Sequence, residues 1–323
     1  MAQPTGTTEA SVRGGMLDAV LFAVALSGLN IAYRLGNQWG VKPLTMLVWA
    51  MPSAAVALLL IGGVGRDWWR VMRHPLSLMV GAGIIGMEAV YYVLLTYTTP
   101  TDGSILVRLG VPISMVLGMV LRGRIPSLLM VLGGAIIVAA VLWYVPRMAT
   151  DAPLLSLVLG AACGFIMSAR SFGAEFHPWN RAARTILQKM RVTGLMLMTT
   201  SLIGLAGLAV FSWAASHGLA VRPAWVPATG ELLAPDGIFI GLLVGLVVLT
   251  SVQYLGFSTV VKLGTEVFVA TTALIPIVTL AVQELFVGIG VLDPIVVEWQ
   301  VLPAVVGIIA GVALVIVGHR RHI

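Results

Sequence analysis

Ten apolar segments, each about as long as a bilayer core is thick, dominate this sequence and leave it few ways to fold. A membrane-spanning helix needs about 20 mostly apolar residues. Such stretches run near 16–34, 44–64, 77–97, 103–121, 127–145, 153–172, 192–213, 237–257, 265–287 and 300–318. Only 10% of the 323 residues are charged, against roughly 25% in soluble domains. The expected class is therefore an all-α integral membrane protein. The first stretch follows Arg13 and contains Ala23 and Ala25, as a signal peptide can, but continues to Tyr33 and is read as a retained span.

The basic residues set the orientation. With the N-terminus in the cytoplasm, thirteen Lys and Arg fall on the inner side, among them Arg66, Arg70, Arg73, Arg122, Arg124, Arg181, Arg184, Lys189 and Arg191, while Lys42, Arg147 and Arg222 fall outside. That excess on one face is the positive-inside pattern, and it places both termini in the cytoplasm of a bacterial inner-membrane protein. It also accounts for the net charge of +6 without nucleic acid as a partner. Trp39, Trp49, Trp143, Tyr144, Trp213 and Trp299 fall at outer ends, and Trp68 with Trp69 at an inner one, as interfacial belts do. The outer loop 214–236 is too rich in proline for a helix and reads as a connector or a lid.

The halves resemble each other. TDGSILVRLGVPI, Thr101 to Ile113, aligns without gaps on TEVFVATTALIPI, Thr265 to Ile277, at an offset of 164. Asp102 meets Glu266, and Pro112 meets Pro276. SGLNIAYR, Ser27 to Arg34, aligns on CGFIMSAR, Cys163 to Arg170. Five spans per half make an odd number, so the second half is expected upside down relative to the first: an inverted repeat, with a first unit 16–146 and a second 153–318 between tails 1–15 and 319–323. Such repeats with a site at mid-depth recur in secondary transporters.

These features resemble a family. A fourth helix per half that opens on a small polar residue and carries a central proline (LLTYTTPTDGSILVRLGVPISMVLG and FSTVVKLGTEVFVATTALIPIVTLAVQE), followed by a helix with spaced glycines (LGGAIIVAAVL and VVGIIAGVALVIVG), is similar to the EamA-like branch of the drug/metabolite transporter superfamily. Two positions depart from it. Ser27-Gly28 stands for the usual Trp-Gly, and Arg122-Gly123-Arg124 for a Gly-Glu pair that only Glu284 echoes. The resemblance implies a central cavity lined by the first, third and fourth helices of each half, peripheral fifth helices, and alternating access for export or exchange of a small organic metabolite or drug-like compound. A non-transporting membrane subunit with a protein partner and a lipid-headgroup flippase are the alternatives.

Candidate site residues are the charges inside the spans, where an unpaired charge costs at least about 3 kcal/mol. Arg108 lies near its helix start, and Glu88 on the preceding span is expected to pair with it. In that pair Arg108 could clamp a substrate anion, or Glu88 could carry a proton. Tyr91 or Tyr92 offers a flat face to substrate. Arg34 and Arg170 are expected at opposite mouths as gates or snorkelling residues. Asp102 and Glu266 read as helix caps, Pro112 and Pro276 as helix breaks, and Asn30 and Gln253 as path-lining or helix-joining groups. GxxxG pairs at Gly160, Gly241 and Gly307 point to close packing within the subunit or to a homodimer. GAGIIG, 81–86, lies inside a span and reads as packing rather than a nucleotide loop. One cysteine, Cys163, and five histidines in loops or the tail offer no metal cluster, no hydrolytic triad and no cofactor site, so no enzymatic activity is expected.

Overall fold

The computed structural model describes residues 9–148, 150–223, 226–292 and 301–320. These residues form helices and turns, with no strand among them. Among the described residues ten helices are long and apolar enough to cross a membrane: Arg13–Tyr33, Leu44–Gly62, Pro75–Leu95, Thr101–Arg122, Leu128–Arg147, Pro153–Phe176, Ile186–Ser216, Pro235–Leu263, Thr265–Gly288 and Val301–His319, named spans 1 to 10 in that order. With no water in the hydrocarbon to serve exposed peptide groups, helices that close their own hydrogen bonds are the form such segments must take.

The spans pack in a definite pairing. Span 2 lies against span 7, span 5 against span 10, span 1 against span 8 and span 3 against span 6. Span 1 also meets span 9, and span 4 meets span 6. Small residues allow these approaches, because side chains in lipid gain nothing from burial as such and must instead fit closely. A Cβ added at Gly133 would strike the carbonyl of Gly311, and one at Gly311 would strike the carbonyl of Gly133. Gly160 and Gly164 lie against Leu106 and Gly110, and Gly241 and Gly245 against Met46 and Ala50. The GxxxG glycines thus serve packing within the chain. In GAGIIG, Gly81 faces Thr200 and Gly83 faces Arg170.

Two readings are corrected here. The segment 214–236 is not free of helix: span 7 runs on to Ser216, and Thr229–Leu232 makes a further short helix. There Glu231 accepts from Lys42 at 2.8 Å and from the backbone N–H of Ala228 at 2.7 Å, which hold its carboxyl below the usual range. Tyr144 is buried rather than interfacial, because its hydroxyl donates to Asp102 at 2.6 Å. Trp299 lies outside the described residues.

Candidate functional site

Spans 4 and 9 are each broken about a third of the way along. Span 4 consists of a helix Pro100–Leu106, a single 3₁₀ turn Val107–Leu109 and a helix Gly110–Arg122. Span 9 consists of a helix Thr265–Thr272, a turn and a helix Ile275–Gly288. Pro112 and Pro276 stand in the first turn of each second segment, as expected of helix breaks. Proline has no N–H and its ring crowds the carbonyl four residues back. For Pro276 that carbonyl is Thr272, which therefore has no donor within its own helix.

Arg108 supplies the donor. Its Nη1 donates to the Thr272 carbonyl and, at 3.3 Å, to the Thr272 hydroxyl, while its Nε donates to the Ser104 carbonyl at 2.8 Å. The side chain is buried. Thr272 is the position that aligns with Arg108 at the offset of 164, so the two equivalent breaks touch each other through this contact. The pairing expected between Arg108 and Glu88 is not made, because the guanidinium is committed to span 9.

Glu88 has a different counter-charge. It lies on span 3 about 10 Å inside the end at Leu95, at 1.5 Å per residue. It makes no hydrogen bond or ion pair among the described residues, and the cation whose field reaches it is Arg170. Arg170 stands on span 6 against Gly83, with its Nε buried and unpartnered. Cys163 and Arg170 are two helical turns apart on one face of span 6, and both interact electrostatically with Glu88. Tyr91, a turn from Glu88, has its ring 3.4 Å from where a Cβ on Gly103 would sit and is within the field of Arg108. Glu88, Tyr91, Arg108, Cys163 and Arg170 thus gather where spans 3, 4 and 6 meet, with Thr272 of span 9 closing one side.

The other candidates fall elsewhere. Asn30 donates to Thr279 at 3.3 Å, and Thr279 to Ser27 at 3.0 Å, so these groups join span 1 to span 9. Gln253 is half-buried on span 8 without a hydrogen bond among the described residues. Asp102 caps its helix reciprocally with Thr99, at 3.2 and 3.3 Å. Glu266 does not act alone: it accepts from Arg124 at 2.7 Å, while Glu175 takes the first N–H and the hydroxyl of that helix, both on Thr265, at 2.9 and 2.8 Å. The side chains of Arg34 and Tyr92 lie outside the described residues.

Sequence reasoning missed the second polar centre. Glu175, buried at the end of span 6, accepts from Arg122 and, at 2.9 Å, from Arg124. Through Glu175 and Glu266 the network binds the end of span 4 and the loop after it to the end of span 6 and the start of span 9. A signal was present: a carboxylate in the last turn of a helix opposes the dipole and calls for a cation.

The comparisons bear on the fold. A protein of known crystal structure is 17% identical to this chain, with a TM-score of 0.60 over 96% of this chain and 99% of the other. In all, 21 chains of solved structure match. No protein-family model and no curated protein matches.

Proposed function

We propose that the chain is a secondary transporter of the EamA-like kind, moving a small organic solute by alternating access, with its spans arranged as two inverted five-helix repeats. The observation that carries this reading is the junction of two broken spans, inside their apolar length, through Arg108 and Thr272. Discontinuous helices whose unwound backbone faces a polar site are the way transporters build substrate and ion sites inside a bilayer. The repeat is supported by the packing, which survives exchange of the halves. Span 1 on span 8 corresponds to span 6 on span 3, span 1 on span 9 to span 6 on span 4, while spans 2 and 7 and spans 5 and 10 pair with their own equivalents.

Glu88 and Arg170 supply the chemistry. Each is an uncommitted charge, and together they offer one anionic and one cationic contact to a solute between spans 3 and 6. In this reading the site binds and releases rather than reacts, and the chain is no enzyme. The excess of Lys and Arg on one face supports an inner-membrane protein with cytoplasmic termini.

The test is the thermal stability of the purified protein against amino acids, sugars, nucleotides, aromatic acids and cationic drugs, followed by counterflow in proteoliposomes with any stabilising compound. A ligand at ~100 times its Kd stabilises by about 2.7 kcal/mol. The expected result is a shift in wild type that Glu88→Gln and Arg170→Gln lose, with counterflow of the same compound. A compound that stabilises all three proteins equally and shows no counterflow would refute the assignment.

A further inference from the structure

Away from the central site, a cleft of about 210 Å³ opens where span 2 ends and span 7 begins, lined by Arg66, Trp68, Trp179, Gln188 and Arg191 around a floor that includes Val192 and Leu195. Arg191 is held in place by its Nε, which donates to the carbonyls of Gly62 at 3.0 Å and Gly63 at 3.3 Å. The loop wraps it closely: Gly65, at φ +75°, leaves only 2.9 Å between a would-be Cβ and the Arg191 Cδ, so no larger residue fits there. Both Nη groups of Arg191 remain without a partner among the described residues, and so does the exposed Arg66. Gln188 spends its carbonyl oxygen on the N–H groups of Arg184 and Thr185, at 2.8 and 3.3 Å, which leaves its NH₂ to donate. Asp67, the acid of this cleft, leans towards Arg70 at 3.8 Å. Three donor groups, two of them cationic, therefore face one space whose single lining carboxylate, Asp67, is exposed and lies on the side of Arg70.

We propose that this cleft binds the phosphodiester of an anionic phospholipid. Planar guanidinium forks suit phosphate oxygens, and basic pockets between spans at a membrane surface are the usual seats of acidic headgroups. The volume is many times what one water needs, enough for a phosphate and the carbons on either side of it. What separates a lipid from free phosphate is the surface around the cleft. Trp68 and Trp69 stand exposed beside it as interfacial anchors, and the two helix ends that frame it present Leu60, Ile61, Ile186 and Leu187 outward, where acyl chains would lie. The site is independent of the proposed transport, and each can fail without the other.

Native mass spectrometry of the full chain, released from detergent containing either phosphatidylglycerol or phosphatidylcholine, tests it. Wild type is expected to retain one phosphatidylglycerol more strongly than phosphatidylcholine, and to keep it in a large excess of inorganic phosphate. Arg66→Gln, which removes an exposed side chain with no structural partner, should weaken retention about fivefold, the worth of one arginine at a membrane surface. Arg147→Gln, at the opposite end of the spans, should change nothing. Equal retention by wild type and Arg66→Gln, equal retention of the two lipids, or displacement by inorganic phosphate would each overturn the proposal, the last by making this a free-anion site.

Discussion

Arg108 donates to the backbone carbonyl of Thr272, the one carbonyl of span 9 that Pro276 strips of its helical donor. A charge in the bilayer interior is thus explained by a break in another helix 164 residues away. Arg108→Met leaves that carbonyl unsatisfied, at a cost of about 1–3 kcal/mol, partly offset by the desolvation of the guanidinium that is no longer needed. Pro276→Ala restores an N–H four residues on. The second change should therefore stabilise the Arg108→Met protein by at least about 1 kcal/mol more than it stabilises wild type. Melting temperatures of the four proteins in one detergent close this cycle, and additivity would contradict the contact.

Glu88→Gln separates folding from function. The carboxylate holds no hydrogen bond, so the substitution should leave stability within about 0.5 kcal/mol of wild type. Binding of any solute that stabilises wild type should nevertheless fall by about tenfold or more, since a charge-assisted contact is lost. Calorimetric unfolding alongside ligand titration measures both. A protein that melts early with unchanged binding would mean that Glu88 is structural.

Glu175→Gln attacks the second polar centre. The acid is 8% exposed and answers two arginines that are themselves partly solvated, so breaking it should cost about 2 kcal/mol or more rather than the full value for a deeply buried pair. The lone cysteine reports the consequence. Cys163 is fully buried in the described conformation, and its alkylation by a small maleimide should be slow in wild type and faster in Glu175→Gln. An unchanged labelling rate would show that the network does not hold the spans closed.

His177 sets an acid limit on stability. Its Nε2 donates to Ser77 at 2.9 Å, because the one hydroxyl proton of Ser77 goes to the Val71 carbonyl at 2.6 Å. Its Nδ1 is buried and without a partner among the described residues, so a second proton there would be left unsatisfied and the neutral ring is favoured. Burial first, and the neighbouring His74 second, push its pKa down from 6.5 to about 4. A folded-state pKa below the unfolded one stabilises above pH 6.5 and loses that stabilisation as pH falls towards 4, by at most about 3 kcal/mol. Between those limits the melting temperature of wild type should drop more steeply than that of His177→Asn. Parallel curves would exclude the histidine as the cause.

The spans were legible because their signal is thick and repeated: twenty apolar residues between charged loops admit few alternatives. Caps and breaks were legible too, since Asp102, Pro112 and Pro276 act within a turn or two of their own positions. Contacts were not. The expected partner of Arg108 was sought on the neighbouring span, where a carboxylate of the right depth stood, and a backbone carbonyl freed by a distant proline leaves no mark in charge or hydropathy. Glu175 was overlooked for a related reason, as its arginines come from a loop read only for orientation. Tyr144 was assigned to an aromatic belt by position, but the carboxylate of Asp102 draws it inward.

The central claim is that the Glu88 site opens alternately to the two sides of the membrane, and it can be tested without knowing the solute. A Glu88→Cys protein made cysteine-single by Cys163→Ser is placed in right-side-out and inside-out vesicles and exposed to a membrane-impermeant maleimide. Labelling from both sides is the expected result, with each side slowed when the opposite face is cross-linked open. Labelling from one side only, or from neither, would contradict alternating access and leave a static membrane subunit in its place.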